Sequence, residues 1–342
     1  MTIHTEICDL IGIKHPIIQA GMGPFTTVNL ATAVSKEGAL GVVSQCGGPH
    51  YDKYRGITHQ EVMIAAIEEV NKKTNDIFGI NVRVPKTSDV AKDVIDYVVD
   101  RVKSDSNFAK KLRVVITSAG DPLQEYLKEI KKAGMIHIHV AAAVKHAQRV
   151  EKAGCDAVIA SGYEAGGHLA HNPVHTFVLI PEVIKSVKIP VVAAGGICDG
   201  KNLAAVLIMG GAGVQMGTRF IATQESDFKN NYKETFLEGT ETDTIVLEGF
   251  LSPHCRYLSN PWTDNFQEMI AAGATEEERT QFKIQGRLQA AEVGDKDKGS
   301  MLCGMVVGRI HDLPTVSEVI NRTINEAEEL LSSIPKKVLK SS

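Results

Sequence analysis

Three short runs carry residue types that can do chemistry. The first, Gly162-Tyr163-Glu164-Ala165-Gly166-Gly167-His168, sets a histidine behind two glycines. An imidazole titrates near neutrality and can take or give a proton, which makes His168 the candidate catalytic residue. The other two, Gly195-Gly196 and Gly217-Thr218, offer backbone N–H groups and a hydroxyl of the kind that hold a phosphate dianion. Taken singly, each glycine pair reads equally well as a tight turn. Glu164 is either catalytic or a hydrogen-bond acceptor that holds its own loop, and the second reading is preferred. His171 and His175 lie three and seven residues beyond His168, a spacing that a helix would align into a metal site. Pro173 argues against that helix, so no metal is expected. His137 and His139 share one face of an apolar run, as a metal pair or, preferably, as a hydrogen-bonded structural pair. His139 is the better site candidate of the two. Cys46 and Cys198 have no evident cationic partner and read as inert packing. Neither a P-loop nor a dinucleotide-binding glycine fingerprint after the first strand is present.

The elements that must position these residues repeat along the chain. Eight short apolar runs read as strands: Pro16–Gln19, Ala39–Ser44, Ile77–Val82, Arg113–Thr117, Ile136–Val140, Ala157–Ala160, Val191–Ala194 and Gly213–Met216. Helical periodicity fills the gaps at Thr26–Glu37, Gln60–Lys73 behind a Thr58 cap, Ser88–Lys103, Pro122–Ala133, Val144–Ala153, Thr176–Val187 and Asp199–Met209. Asp121 suits an N-cap and Pro122 a first turn. Alternating βα units imply parallel strands, and eight of similar length favour a closed (β/α)8 TIM barrel over an open doubly wound sheet. In such a barrel the active site lies at the C-terminal strand ends, and phosphate is commonly held after strands seven and eight. Gly195-Gly196 and Gly217-Thr218 fall there, which favours phosphate binding over plain turns. Small residues gather at the same end: Ala20-Gly21-Met22-Gly23, Gln45-Cys46-Gly47-Gly48 and Ser118-Ala119-Gly120.

Past strand eight the rhythm breaks. Residues 221–300 form a more polar, mainly helical excursion, with helices expected at Asp227–Leu237 and Thr275–Ala291 and a loop at Ser259–Asp264. The division expected is a barrel of residues 1–220 and 301–342, ending in a Val316–Ser333 helix, with 221–300 as a substrate-side cap. A net charge of -4 argues against nucleic acid or an anionic membrane as the main partner. The first residues lack a signal-peptide pattern, no apolar run spans a bilayer, and the six scattered cysteines read as free thiols. The expectation is a cytoplasmic protein with a small-molecule substrate; a homodimer is compatible with the sequence.

Several of these motifs together resemble one family. Gln19–Gly23, Phe78–Asn81, Gly154–Val158, Gly162–His168, Ala193–Gly200 and Gln215–Phe220 are similar to the nitronate monooxygenase (2-nitropropane dioxygenase) family, as is Arg256-Tyr257-Leu258-Ser259-Asn260 to its Arg-x-Leu-x-Asn element. The resemblance runs from about residue 7 to about 310. That family includes FMN-dependent enoyl-acyl-carrier-protein reductases and related quinone reductases. The resemblance implies non-covalent FMN at the barrel mouth, with Ala20, Gly21, Met22 and Asn81 at the ring. Gly166, Gly167, Gly195, Gly196, Gly217 and Thr218 would surround the phosphate, with Gln215 and Met216 nearby, and His168 would be the family's catalytic histidine. Gly21-Met22 is closer to the reductases, whereas Met216–Thr223 and His139 are closer to the monooxygenases. Ala141-Ala142-Ala143 stands where many relatives carry serine or threonine.

The leading expectation is nitronate oxidation by O2 to a carbonyl compound and nitrite, with His168 as base. The alternative is an NAD(P)H-dependent enoyl or quinone reductase with His168 as proton donor. A third reading is a non-redox barrel that binds a phosphorylated metabolite.

Overall fold

The computed structural model describes residues 3–44, 56–85, 90–250 and 254–338. Gln45, Cys46, Gly47 and Gly48, and Ser88 at the start of one expected helix, lie outside the described residues. Eight strands form one parallel sheet: β1 (Ile17–Gln19), β2 (Gly41–Ser44), β3 (Phe78–Arg83), β4 (Leu112–Ser118), β5 (Ile136–Ala141), β6 (Ala157–Ser161), β8 (Val191–Ala194) and β9 (Gly213–Met216), with the short β7 (Gly167–His168) outside it. Their order is β1-β9-β8-β6-β5-β4-β3-β2. A parallel bridge from Ile18 to Leu40, beside β2, brings the two edges together, so the sheet is a (β/α)8 barrel.

Side-chain alternation sorts these strands into two layers. Ile18, Leu40, Val42, Val114, Ile116, Ile136, Ile138, Ile159 and Val192 fill the barrel interior, and Ile7 and Ile11 of the Glu6–Ile11 helix join that cluster. The opposite faces pack on the helices: Ile80, Val82 and Val115 against Met63, Ile67, Val94 and Val98, and Val158, Val214 and Met216 against Leu179, Val183 and Leu203. Thr58 makes a full capping box with Glu61 at the start of the His59–Lys73 helix.

One helix departs from expectation. Asp121 does not cap a helix at Pro122. Its carboxylate accepts from the Leu123 N–H at 3.0 Å, a local turn that competes with helix. Helical structure starts only with a 3-10 turn at Glu125–Leu127, followed by Lys128–Lys132.

The excursion after β9 is less purely helical than its composition implies. It carries Asn230–Thr235 with a 3-10 turn at Phe236–Glu238, then β10 (Thr244–Leu247) and β11 (Cys255–Leu258). The expected loop at 259–264 is instead the start of the Pro261–Ala271 helix, with Pro261 in the first turn and the Asn260 side chain accepting from the Thr263 N–H. Thr275 caps Glu276–Leu288, which ends in a π-turn at Gln289–Val293. Trp262 stacks on Phe266 and Phe282, giving this region its own small core.

Candidate active site

A cavity of about 570 Å³ opens at the C-terminal ends of the barrel strands. His168 lies on it, in the short strand β7 (Gly167–His168) that follows β6. β7 pairs antiparallel with β11, placing Cys255 opposite His168 and Arg256 opposite Gly167. The excursion therefore fixes the histidine's backbone. Arg256, itself buried, pins the preceding loop: Nη2 donates to the Tyr163 carbonyl at 2.9 Å, Nε to Ala165 at 3.2 Å, and the guanidinium lies over the Tyr163 ring.

Glu164 lines the cavity, but its carboxylate is taken up in holding the loop. It accepts from the Thr176 hydroxyl at 2.6 Å and the Thr176 N–H at 2.9 Å, and contacts His175. These bonds keep its carboxyl below the usual range against the opposing effect of burial, which is the largest single influence. His171 packs beside His254. Among the described residues no cluster of three or more metal-type side chains is present.

The His168 ring is exposed to the cavity, while protein closes round it at longer range. Its Nε2 accepts from the Phe250 N–H at 3.1 Å, so in the neutral ring the proton sits on Nδ1. Burial pushes its pKa down to about 4, aided by the nearby charges of Arg83, Arg287 and Lys283. Lys283 is pulled into place by Glu248 at 2.5 Å and the Gly249 carbonyl at 3.0 Å. Arg287 stacks on the Phe250 ring. Gly249 was not legible as a site residue, yet a Cβ there would come within 2.9 Å of the His168 ring and 2.8 Å of Cys255. Neither it nor the three cations shows any local motif, because they reach His168 through folding alone.

The glycines expected around a phosphate converge on this cavity: Gly166, Gly167, Gly195, Gly196, Gly217 and Thr218 all line it. Gly195 and Gly196 have φ of +82° and +75°, a left-handed stretch that glycine adopts without strain. The Thr218 hydroxyl accepts from the Gly304 N–H at 2.8 Å, and its own proton stays available. Ala20, Gly21, Met22, Asn81 and Gln215 also line the cavity. A Cβ on Gly21 would sit 2.5 Å from the Asn81 side chain, so those two must be close neighbours. Met216 differs: its side chain is buried in the helix-facing core and does not line the cavity.

His137 and His139 face the helices, on the opposite side of β5 from Ile136 and Ile138. Both lie 2.7 Å from the Thr117 hydroxyl, as a hydrogen-bonded pair through one shared partner. His139 is nevertheless among the residues that line the cavity. Cys198 is buried, and burial pushes its thiol up to about 11.

The model of the nitronate monooxygenase family matches residues 4–326. The chain belongs to that family. It is 30% identical to the (3aS,4S,5R,7aS)-5-hydroxy-7a-methyl-1-oxo-octahydro-1H-indene-4-carboxyl-CoA dehydrogenase of Rhodococcus jostii (strain RHA1), over 97% of this chain and 98% of that one. Among solved structures, FabK from Thermotoga maritima is 34% identical with a TM-score of 0.85, covering 98% of this chain and all of its own. A nitroalkane oxidase from Streptomyces ansochromogenes is 26% identical with a TM-score of 0.76, over 96% and 99%. The protein is thus an oxidoreductase of a flavin-dependent family. No helix among the described residues is long and apolar enough to cross a membrane.

Proposed function

We propose that the cavity binds FMN and that the enzyme moves a hydride between the flavin and an enoyl thioester, with NAD(P)H as electron donor. One observation carries this reading. His168 sits as a neutral acceptor among Arg83, Lys283 and Arg287. A ring held near 4 is a weak base at neutral pH, so the site is poorly suited to deprotonating a neutral nitroalkane. The same cations favour negative charge, which develops on a thioester carbonyl as a hydride adds to its β-carbon. The name of the Rhodococcus relative, a CoA-ester dehydrogenase, supports the same substrate class.

FMN, when bound, supplies two-electron chemistry. The residues present fit it: the left-handed Gly195-Gly196 turn, Gly217 and the Thr218 hydroxyl would take the phosphate, and Gly21, Met22 and Asn81 would meet the ring. The cations hold the anionic substrate oxygen, and negative charge placed beside His168 raises its affinity for a proton. That proton can then be delivered to the α-carbon.

The cation cluster also favours a second reading, oxidation of an alkyl nitronate, because that substrate arrives already anionic and needs no base. Two assays separate them: anaerobic NAD(P)H-driven reduction of crotonyl-CoA, and aerobic oxygen uptake with propionate 3-nitronate. Fast thioester reduction is expected. Rapid nitronate turnover without thioester reduction would favour the second reading, and a colourless protein that gains no flavin spectrum with FMN would sink both.

A further inference from the structure

Past the ends of β4 and β5 the cavity is bordered by Pro122, His139, Ala142, His146 and Arg149, and this part of it is termed the lobe. The reaction at His168 uses none of them. The Val144–Lys152 helix, whose His146 and Arg149 line this part of the cavity, starts from Ala143, which has no polar side chain with which to cap it. The His146 and Ala147 N–H groups bond back to the Ala143 carbonyl, at 3.0 and 3.1 Å. The Val144 and Lys145 amides just before them have no partner earlier in the helix. Arg149 is held at the lobe by Asp121 through Nε at 3.0 Å and Nη2 at 2.7 Å, which leaves Nη1 for another acceptor.

A second, independent feature points the same way. His139 is only 3% exposed, and Thr117 occupies its Nδ1, so Nε2 is the ring's polar atom left for the lobe. The bonds behind it fix its tautomer. Thr117 has one hydroxyl proton for two imidazole nitrogens, so one ring must donate and the other accept. His137 Nδ1 lies 3.5 Å from Cys155 Sγ, and burial pushes that thiol up to about 12, keeping its proton in place. The thiol donates to His137, His137 Nε2–H donates to Thr117, and Thr117 donates to His139 Nδ1. His139 thus turns an N–H toward the lobe.

We infer that this lobe binds the pyrophosphate of a nucleotide carried by the substrate or co-substrate. Its oxygens would meet the Val144 and Lys145 amides, Arg149, His146 and the His139 Nε2–H. CoA thioesters and NAD(P)H share this group, so the inference rests on the reading above only in supposing that such a nucleotide is used.

The test uses the FMN-loaded enzyme and inorganic pyrophosphate, followed by calorimetry. Ala143→Asp supplies a strong N-cap, so its Tm should hold or rise, while its carboxylate occupies the amides and repels phosphate. Pyrophosphate affinity should fall at least tenfold in Ala143→Asp and in Arg149→Gln. If KM rises for crotonyl-CoA alone, the nucleotide is the substrate's; if for NAD(P)H alone, it is the donor's. A folded Ala143→Asp enzyme that binds pyrophosphate and uses both nucleotides as the wild type does overturns the inference. Failure of thioester turnover with pyrophosphate binding intact would count against the proposed reaction and not against the subsite.

Discussion

Two of the histidines that border the cavity, His139 and His168, are both held neutral, by opposite constructions. His139 is buried between β5 and the helices, and its partners Thr117 and His137 come from the same and the neighbouring strand. His168 is open to ligand, and its surroundings come from far along the chain: Phe250, Lys283 and Arg287 from the excursion, Arg83 from β3. A ring fixed by adjacent strands is part of the scaffold. A ring fixed by distant segments can be retuned by any of them, which suits the proton exchange proposed for His168.

The largest break in this comparison is His168→Ala. It should retain the flavin spectrum and lose about 10²–10⁴-fold in the rate of substrate reduction, the usual worth of a positioned acid or base. A rate within twofold of wild type would remove His168 from the chemistry. Gly249→Ala should lower kcat by about tenfold, in line with the cost of displacing a catalytic group by a fraction of an ångström. The added methyl would push the His168 ring off the Phe250 N–H, visible as a changed His168 position in a crystal structure of the variant.

Arg287→Met tests the tuning. Cations disfavour imidazolium, so removing one raises the His168 pKa. The limb of the pH–rate profile that reports His168 should move to higher pH. An unmoved limb would mean that Arg287 takes no part in setting the value.

The scaffold ring should respond in stability. Thr117→Val strips two buried imidazole nitrogens of their partner and should cost about 1–3 kcal/mol. Thr117→Ser should restore most of it, measured as the urea midpoint. His137 and His139 have folded values of about 4 and about 3, below the ordinary 6.5. The unfolded chain therefore binds more protons below pH 6.5. The stability these rings contribute is complete above that pH and is lost as pH falls through 4 and 3. The urea midpoint should drop between pH 7 and 4.5, and less steeply in His137→Asn.

The smallest effects concern Gly166 and Gly167. A Cβ on Gly166 would lie 2.3 Å from the Cys303 backbone, whereas Gly167, at φ +72°, has nothing within 4 Å. Gly166→Ala should thus cost more Tm than Gly167→Ala, which bears only backbone strain of about 1 kcal/mol. The reverse order would mean that the 303–304 segment yields easily.

Much of this is legible in the sequence alone. Eight β-branched runs with helical spacers specify a parallel barrel, because periodicity and connection length are local properties. Barrel topology then assigns the glycine turns after the last two strands to one rim. Other features were beyond local reading. Thr244–Leu247 is only half-buried along its length, and Gly167–His168, on the other side of β11, is only two residues long, so neither carried a strand pattern. Asp121 reads equally as cap or turn, and only its partners chose. Inward and outward faces of β5 are equivalent in sequence, so the orientation of His139 had to await the packing of Ile136 and Ile138.

By itself, then, the sequence determined the barrel, the rim on which the candidate site residues gather, and a histidine behind Gly166-Gly167 as the group to watch. The tertiary structure decided what that histidine is. Its pKa depends on charges and burial contributed by residues up to 119 positions away, as Arg287 is, and electrostatic influence follows distance in space rather than along the chain.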